Sequence, residues 1–299
     1  MRMLYLVLAG VLVIGLVAVT VVLLLLTRRV EGAYFDSRGV RIHYTIEGAG
    51  PPVLLLHGFA VNGDINWRLP GFIRLLAKDF QVITLDLRGH GLSGKPHQVR
   101  AYGMEMANDV LRLMDRLHID RAQLVGYSLG GFIVLKLAVV APQRLISASV
   151  LGAGWVPPDG VFMRALPQLQ ATLESGQGIG PLANHIGALK TKPGRLHTWS
   201  VKLMTGYFSD QQALAAMVQA LPELAVSQQQ LRDIAVPVCA IVGSEDPFRS
   251  SAEAMVGVIP DLQLTVVAGA DHLRTPLLRE TRETLRAFLL KQRGASGPS

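Results

Sequence analysis

One cysteine, Cys239, occurs in 299 residues. No internal disulfide can form, and this residue falls in an apolar run where a thiol packs as a small hydrophobe. Charged residues make up only 17% of the chain and aromatics 6%. From Val30 onward there are 26 basic and 22 acidic residues. So mild a balance, without a basic stripe interleaved with aromatics, gives no support for a nucleic-acid partner. No two histidines have the spacing of a metal site, and no glycine-rich phosphate loop is present, so neither metal nor organic cofactor is expected. No internal repeat is apparent.

What the chain does have begins with Gly126-Tyr127-Ser128-Leu129-Gly130, with a further glycine at Gly131. The apolar run Ala122-Gln123-Leu124-Val125 precedes it and an apolar stretch from Phe132 to Val140 follows. Strand, tight turn with a serine between glycines, then helix is the setting of a nucleophile elbow. So sharp a turn leaves space only for Gly126 and Gly130 around Ser128. It raises the hydroxyl at the carboxyl end of the sheet and sets the next amide at a helix N-terminus, where negative charge is favoured.

A serine nucleophile needs a base and an acid to orient that base. Val236 to Gly243 reads as a buried parallel strand and runs into Ser244-Glu245-Asp246-Pro247. Leu262 to Val267 reads as the next strand and leads to Gly269-Ala270-Asp271-His272. Serine, acid and histidine thus follow in the order Ser128, Asp246, His272, each past the carboxyl end of a predicted strand. Glu245 competes with Asp246 for the acid role, and Asp271 sits beside His272.

With these features the chain resembles the α/β-hydrolase superfamily, in its serine-nucleophile, esterase- and lipase-like branch, from about Val40 to Lys291. Leu54-Leu55-Leu56-His57-Gly58-Phe59 is similar to the family's strand and HG-x loop. Asp86-Leu87-Arg88-Gly89-His90-Gly91-Leu92-Ser93-Gly94 is similar to its D-x-R-G-x-G-x-S loop. The resemblance implies Ser128 as nucleophile, Asp246 as acid and His272 as base. It implies the amides of Phe59 and Leu129 as oxyanion hole, with His57, Gly58, Gly126 and Gly130 in supporting loops. Family members place the acid before a proline at this loop, which favours Asp246 over Glu245. His57 and His90 come near the site by the same resemblance, as residues that fix loops through backbone hydrogen bonds. Serine at the elbow speaks against the superfamily's epoxide hydrolases and haloalkane dehalogenases, which carry Asp there.

The implied activity is hydrolysis of a small-molecule carboxylic ester, and the uncharged amino-terminal run from Met3 to Leu26 tilts the expected substrate toward a lipid-like or otherwise hydrophobic one. Amide, thioester and carbon–carbon hydrolysis remain open on the same triad. A cofactor-free perhydrolase or haloperoxidase and a catalytically retired binding module are the rivals from other classes.

The remaining prominent feature is the 24-residue uncharged run from Met3 to Leu26, which ends in Thr27-Arg28-Arg29. About 20 apolar residues span a bilayer, and a secretory h-region is only about 7–15 long. With no small-residue cleavage site after it, the run reads as an uncleaved transmembrane anchor, making the membrane a partner and the location. Arg28, Arg29, Arg38 and Arg41 lie after the run and Arg2 before it. That asymmetry favours a cytoplasmic domain, whereas the free amino terminus pulls the other way; the side stays open.

The expected architecture is an α/β-hydrolase fold, a mostly parallel eight-stranded sheet flanked by helices, with an inserted helical cap. The expected divisions are an anchor over 1–29, the core over 30–154 and 228–293, a cap over 155–227 and a disordered tail over 294–299. Strands are expected over 41–47, 53–56, 82–86, 123–125, 147–151, 238–242 and 263–267. Helices are expected over 104–117, 129–140 and 276–291.

Overall fold

The computed structural model describes residues 32–177 and 210–293. The chain divides after Glu31, and the described residues all belong to the second unit, Gly32–Ser299. Eight strands form one sheet: β1 (Ala33–Ser37), β2 (Val40–Glu47), β3 (Pro52–Leu56), β4 (Gln81–Leu85), β5 (Ala122–Tyr127), β6 (Leu145–Leu151), β7 (Val238–Gly243) and β8 (Leu262–Val267). Their order is β1-β2-β4-β3-β5-β6-β7-β8. β1 pairs antiparallel with β2, and β2 with β4; every other pair is parallel. One row of the register runs Ile83, Leu54, Leu124, Ala148, Val238, Leu262 across six strands. Strands so aligned end on the same edge, and the loops that follow them gather there.

Eight α-helices are described: α1 (Phe72–Leu76), α2 (Met104–Arg116), α3 (Leu129–Val140), α4 (Val161–Glu174), α5 (Gln211–Ala220), α6 (Gln228–Arg232), α7 (Arg249–Glu253) and α8 (Arg279–Lys291). Successive strand residues face opposite ways. Leu54, Leu56 and Leu124 therefore pack with Met106, Val110, Ile133 and Leu137 of α2 and α3. Val53, Leu55 and Val125 pack on the other side with Phe72 and Leu76 of α1 and Leu285, Phe288 and Leu289 of α8. The absence of a polar stripe on α3 follows from burial on nearly every side, from Leu129 to Ala138.

The eight-stranded, mostly parallel sheet is as expected, but three details differ. β1 was not expected. It is five residues long and pairs with one neighbour through a hairpin whose turn residues, Arg38 and Gly39, have φ of 54° and 81°. Both angles are left-handed, as a type I′ hairpin turn requires. The last helix begins at Arg279 rather than Pro276, because Thr275–Leu277 forms a separate 3₁₀ turn and Leu278 is extended. Leu277 consequently lies exposed instead of joining Leu285 and Leu289 in the core.

The third difference is the membrane helix. Among the described residues, no helix is long and apolar enough to cross a membrane. The transmembrane element expected in the fold, and the membrane location and membrane partner inferred from it, are corrected accordingly. The segment on which they rested, Met3–Leu26, lies outside the described residues, as do 178–209 of the expected cap and the tail 294–299. Within 155–227 the structure describes α4 and α5, with Leu166, Leu169, Leu173 and Met217 buried.

Candidate active site

Ser128 connects β5 to α3 with φ 50° and ψ −112°. A positive φ on a residue with a Cβ is held only by its surroundings. Its amide donates to Leu151 O at 2.8 Å, and its carbonyl accepts from Phe132 N at 3.2 Å. The flanking glycines are steric requirements. A Cβ on Gly126 would stand 2.1 Å from Gly130 O, and one on Gly130 would stand 2.1 Å from Leu56 O. The turn is therefore pressed against both its own helix and the end of β3.

The loops after β7 and β8 bring Asp246 and His272 to this turn. His272 Nδ1 lies 2.9 Å from Asp246 Oδ2, and His272 Nε2 lies 3.2 Å from Ser128 Oγ. A carboxylate only accepts, so Nδ1 carries the proton and Nε2 is left to accept from the serine hydroxyl. Asp246 is held by the Phe248 amide, which donates to Oδ1 at 2.9 Å. The imidazole is flanked by the rings of Tyr127 and Phe248, with centroids at 5.3 and 5.5 Å. The buried Tyr127 hydroxyl donates to the His272 carbonyl. Of the competing acids, Glu245 is exposed, and Asp271 accepts from the amides of Leu273 and Arg274 at 3.0 and 2.8 Å. Asp271 thus closes its own turn.

The loop after β3 carries Gly58 and Phe59. His57 Nε2 accepts from Leu87 N at 2.9 Å, so the ring proton is on Nδ1, which donates to Gly58 O at 2.7 Å. His90 repeats the pattern: Nε2 accepts from Ala60 N at 3.1 Å and Nδ1 donates to Arg88 O at 3.1 Å. Burial lowers the pKa of both rings, that of His90 to about 3, so both are neutral.

The loop after β4 is organised by Asp86, which accepts from Gly63 N at 3.0 Å and Leu92 N at 2.9 Å and bonds His43 at 3.1 Å. Burial pushes its carboxyl up, but these partners outweigh it and hold the pKa at about 2. Beside it, Arg88 forms a two-pronged pair with the fully buried Asp109 at 2.5 and 2.6 Å.

An apolar recess opens one helical turn beyond Ser128. It is lined by Phe132 and Leu135 of α3, Phe162 and Met163 of α4, and Leu221, Leu224 and Val226. It contains about 360 Å³ free of protein atoms, part of it open to solvent. Phe132, Phe162 and Phe248 stack in a triangle with centroids 5.6–5.7 Å apart, joining the recess to the His272 ring. Cys239 lies in β7 away from these groups, and burial pushes its thiol up to about 12. Among the described residues, no group of three or more His, Cys, Asp or Glu is arranged to hold a metal ion.

Sequence reasoning did not identify Asn66 or Tyr127. Asn66 carries no motif signal, since it sits in a π-helical turn, Asp64–Arg68, that periodicity does not reveal. Tyr127 could have been noticed as the residue between the elbow's first glycine and its serine.

The chain belongs to the alpha/beta hydrolase fold family, whose model matches residues 51–273. It is 32% identical over 123 residues to bifunctional epoxide hydrolase 2 of Mus musculus, covering 40% of this chain and 22% of that protein. It is 29% identical over 257 residues to the dihydrolipoyllysine-residue acetyltransferase component of the acetoin cleaving system of Pseudomonas putida, covering 81% of this chain and 64% of that protein. The match thus spans about a fifth of the mouse relative and under two thirds of the bacterial one. A thermophilic esterase from Thermogutta terrifontis superposes with a TM-score of 0.69 at 26% identity, covering 89% of this chain and all of that one.

Proposed function

We propose that this protein is a serine hydrolase that cleaves carboxylic esters of small molecules through an acyl-enzyme. The observation that carries the reading is the hydrogen-bonded chain Ser128–His272–Asp246, at 3.2 and 2.9 Å, beside an apolar recess. Ser128 Oγ attacks the ester carbonyl carbon while its proton passes to His272 Nε2. Asp246 keeps the imidazole in the Nδ1–H tautomer and stabilises its charged form. The amides of Phe59 and Leu129 receive the oxyanion. The carbonyl re-forms, and the alcohol leaves with the proton from His272. Water, deprotonated by the same nitrogen, then releases the carboxylic acid and restores the serine.

Helices α4 and α5 serve as the described part of a cap in this reading, and the recess lined by Phe132 and Phe162 takes the apolar part of the ester. Family membership and the likeness to the Thermogutta terrifontis esterase support it. The mouse relative is named an epoxide hydrolase; Ser128, at the elbow where the superfamily's epoxide hydrolases carry Asp, weighs against that activity here. The test is hydrolysis of p-nitrophenyl esters from acetyl to palmitoyl by the full chain and its Ser128→Ala variant. The variant should lose turnover by roughly 10⁶ in kcat, as loss of a triad serine does, while remaining folded. Equal turnover by the two proteins would refute the proposal.

A further inference from the structure

The loop that bears the Phe59 amide is held at three successive peptide planes, each by a different side chain. Asn66 Oδ1 accepts from Gly58 N at 2.7 Å and so holds the His57–Gly58 peptide. His57 Nδ1–H donates to Gly58 O at 2.7 Å and holds the Gly58–Phe59 peptide. His90 Nε2 accepts from Ala60 N at 3.1 Å and holds the Phe59–Ala60 peptide. None of these peptides is cis. In a trans peptide the carbonyl and the following N–H point in opposite directions. Fixing Gly58 O toward the His57 ring therefore aims the Phe59 N–H the other way. Among the described residues no acceptor takes that N–H.

The holders are themselves fixed. Asn66 is buried in the π-helical turn, which closes through Leu69 N to Asp64 O at 2.8 Å. Its neighbour Trp67 is fully buried edge-on against Phe72 and Tyr127, at 5.2 and 6.4 Å. Arg68 ties the turn to Asp64 and to Glu47 of β2. His57 is braced from behind by the Leu87 amide. Gly58 leaves no slack between Asn66 and Ser128, because a Cβ there would lie 3.3 Å from Asn66 Oδ1 and 3.4 Å from Ser128 Cβ.

On the reading of Ser128 as nucleophile, in which the resemblance already makes His57 a loop-fixing residue, we infer that Asn66 is a positioning residue for the oxyanion amide of Phe59, setting its direction from the side of Gly58 opposite His57. The His57 bond adds polarisation. A donor on the carbonyl of a peptide strengthens the N–H of that peptide as a donor. The chain Leu87 N–H to His57, His57 to Gly58 O, Phe59 N–H to oxyanion therefore works in one direction. Its contribution is greatest when the oxyanion is present, so its loss lowers kcat rather than raising KM.

The experiment uses the full chain with Asn66→Ala, with the volume-preserving Asn66→Leu, and with His57→Gln. Each is assayed on p-nitrophenyl acetate, with active sites counted by fluorophosphonate labelling. Phenylboronic acid serves as a tetrahedral mimic, adding to Ser128 so that a boronate oxygen sits in the oxyanion position. Complete loss of one oxyanion donor costs about 10²–10³ in rate. A misdirected donor should cost roughly tenfold to hundredfold in kcat per labelled site, with KM within about twofold and phenylboronic acid inhibition weakened by the same factor. Unchanged kcat per labelled site and unchanged boronate affinity in the folded variants would overturn the inference and leave the ester reading standing. Failure of all three variants to fold would assign the clamp a purely structural role and overturn it as well. Absence of Ser128-dependent turnover in the unmodified protein would remove the ester reading, and the inference with it.

Discussion

His90 is neutral and buried in the folded protein, with a pKa near 3 because burial disfavours its charged form. In the unfolded chain it titrates near its ordinary 6.5. Between these values the unfolded state binds a proton that the folded state does not, so stability falls as pH is lowered from 6.5 toward 3. One pKa unit corresponds to 1.36 kcal/mol, so lowering the pH from 7 to 5 should remove about 2 kcal/mol through His90 alone. His57 is shifted in the same direction by the same cause and adds to the loss. Asp86 contributes only further down, between its ordinary value and about 2. Against a total stability of about 5–15 kcal/mol, the effect is readily measured. Urea unfolding at pH 7 and pH 5 provides the assay, with the unmodified protein beside His90→Gln, whose amide oxygen can accept from Ala60 N. The variant should lose about 2 kcal/mol less than the unmodified protein between the two pH values, all other titrating groups cancelling in the comparison. Equal losses would refute the assignment of His90 as a buried neutral ring.

Three further outcomes are expected. Gly130→Ala places a methyl 2.1 Å from Leu56 O, backbone against backbone. It should cost more than about 4 kcal/mol and yield little folded protein, read as soluble yield and thermal midpoint. Asp109→Ala leaves the Arg88 guanidinium buried without its carboxylate and should destabilise by about 3–5 kcal/mol in urea unfolding. Phe162→Ala removes one of the two phenylalanine rings that line the recess. The best p-nitrophenyl ester should become longer, each methylene newly buried adding about 0.8 kcal/mol, roughly fourfold in kcat/KM; an unchanged chain-length optimum would place the acyl group elsewhere.

Much of the sheet was legible because a parallel strand buried on both faces is a short continuous apolar run. Val53–Leu56 and Val238–Val242 stand out for that reason. β1 was not legible, since Ala-Tyr-Phe-Asp-Ser has an edge strand's mixed composition and its partner is found only through the hairpin. The onset of α8 was misplaced because apolar spacing across Leu277 and Leu278 imitates a helical face while Thr275–Leu277 turns separately. The uncharged run at the amino end was read as a spanning helix, whereas among the described residues none of that kind is found. Of the apolar residues within the expected cap segment 155–227, Phe162 and Met163 face the recess and Leu166, Leu169 and Leu173 are buried. Composition could not separate them, because lining and packing use the same side chains.

The sequence carried the elbow, since Gly126 and Gly130 flank Ser128 as a tight strand-to-helix turn requires. It also determined the order of serine, acid and histidine at the ends of successive strands. The resemblance already favoured Asp246 over Glu245, and packing turns Asp246 inward to His272 while Asp271 caps its own turn. Packing brought Asn66 to the loop that His57 and His90 were expected to fix, so that the three hold consecutive peptides. The reason is physical. A tight turn is specified by the few residues that occupy it, whereas the partner of a buried polar group is chosen by which distant segments the packed sheet and helices bring within hydrogen-bonding reach.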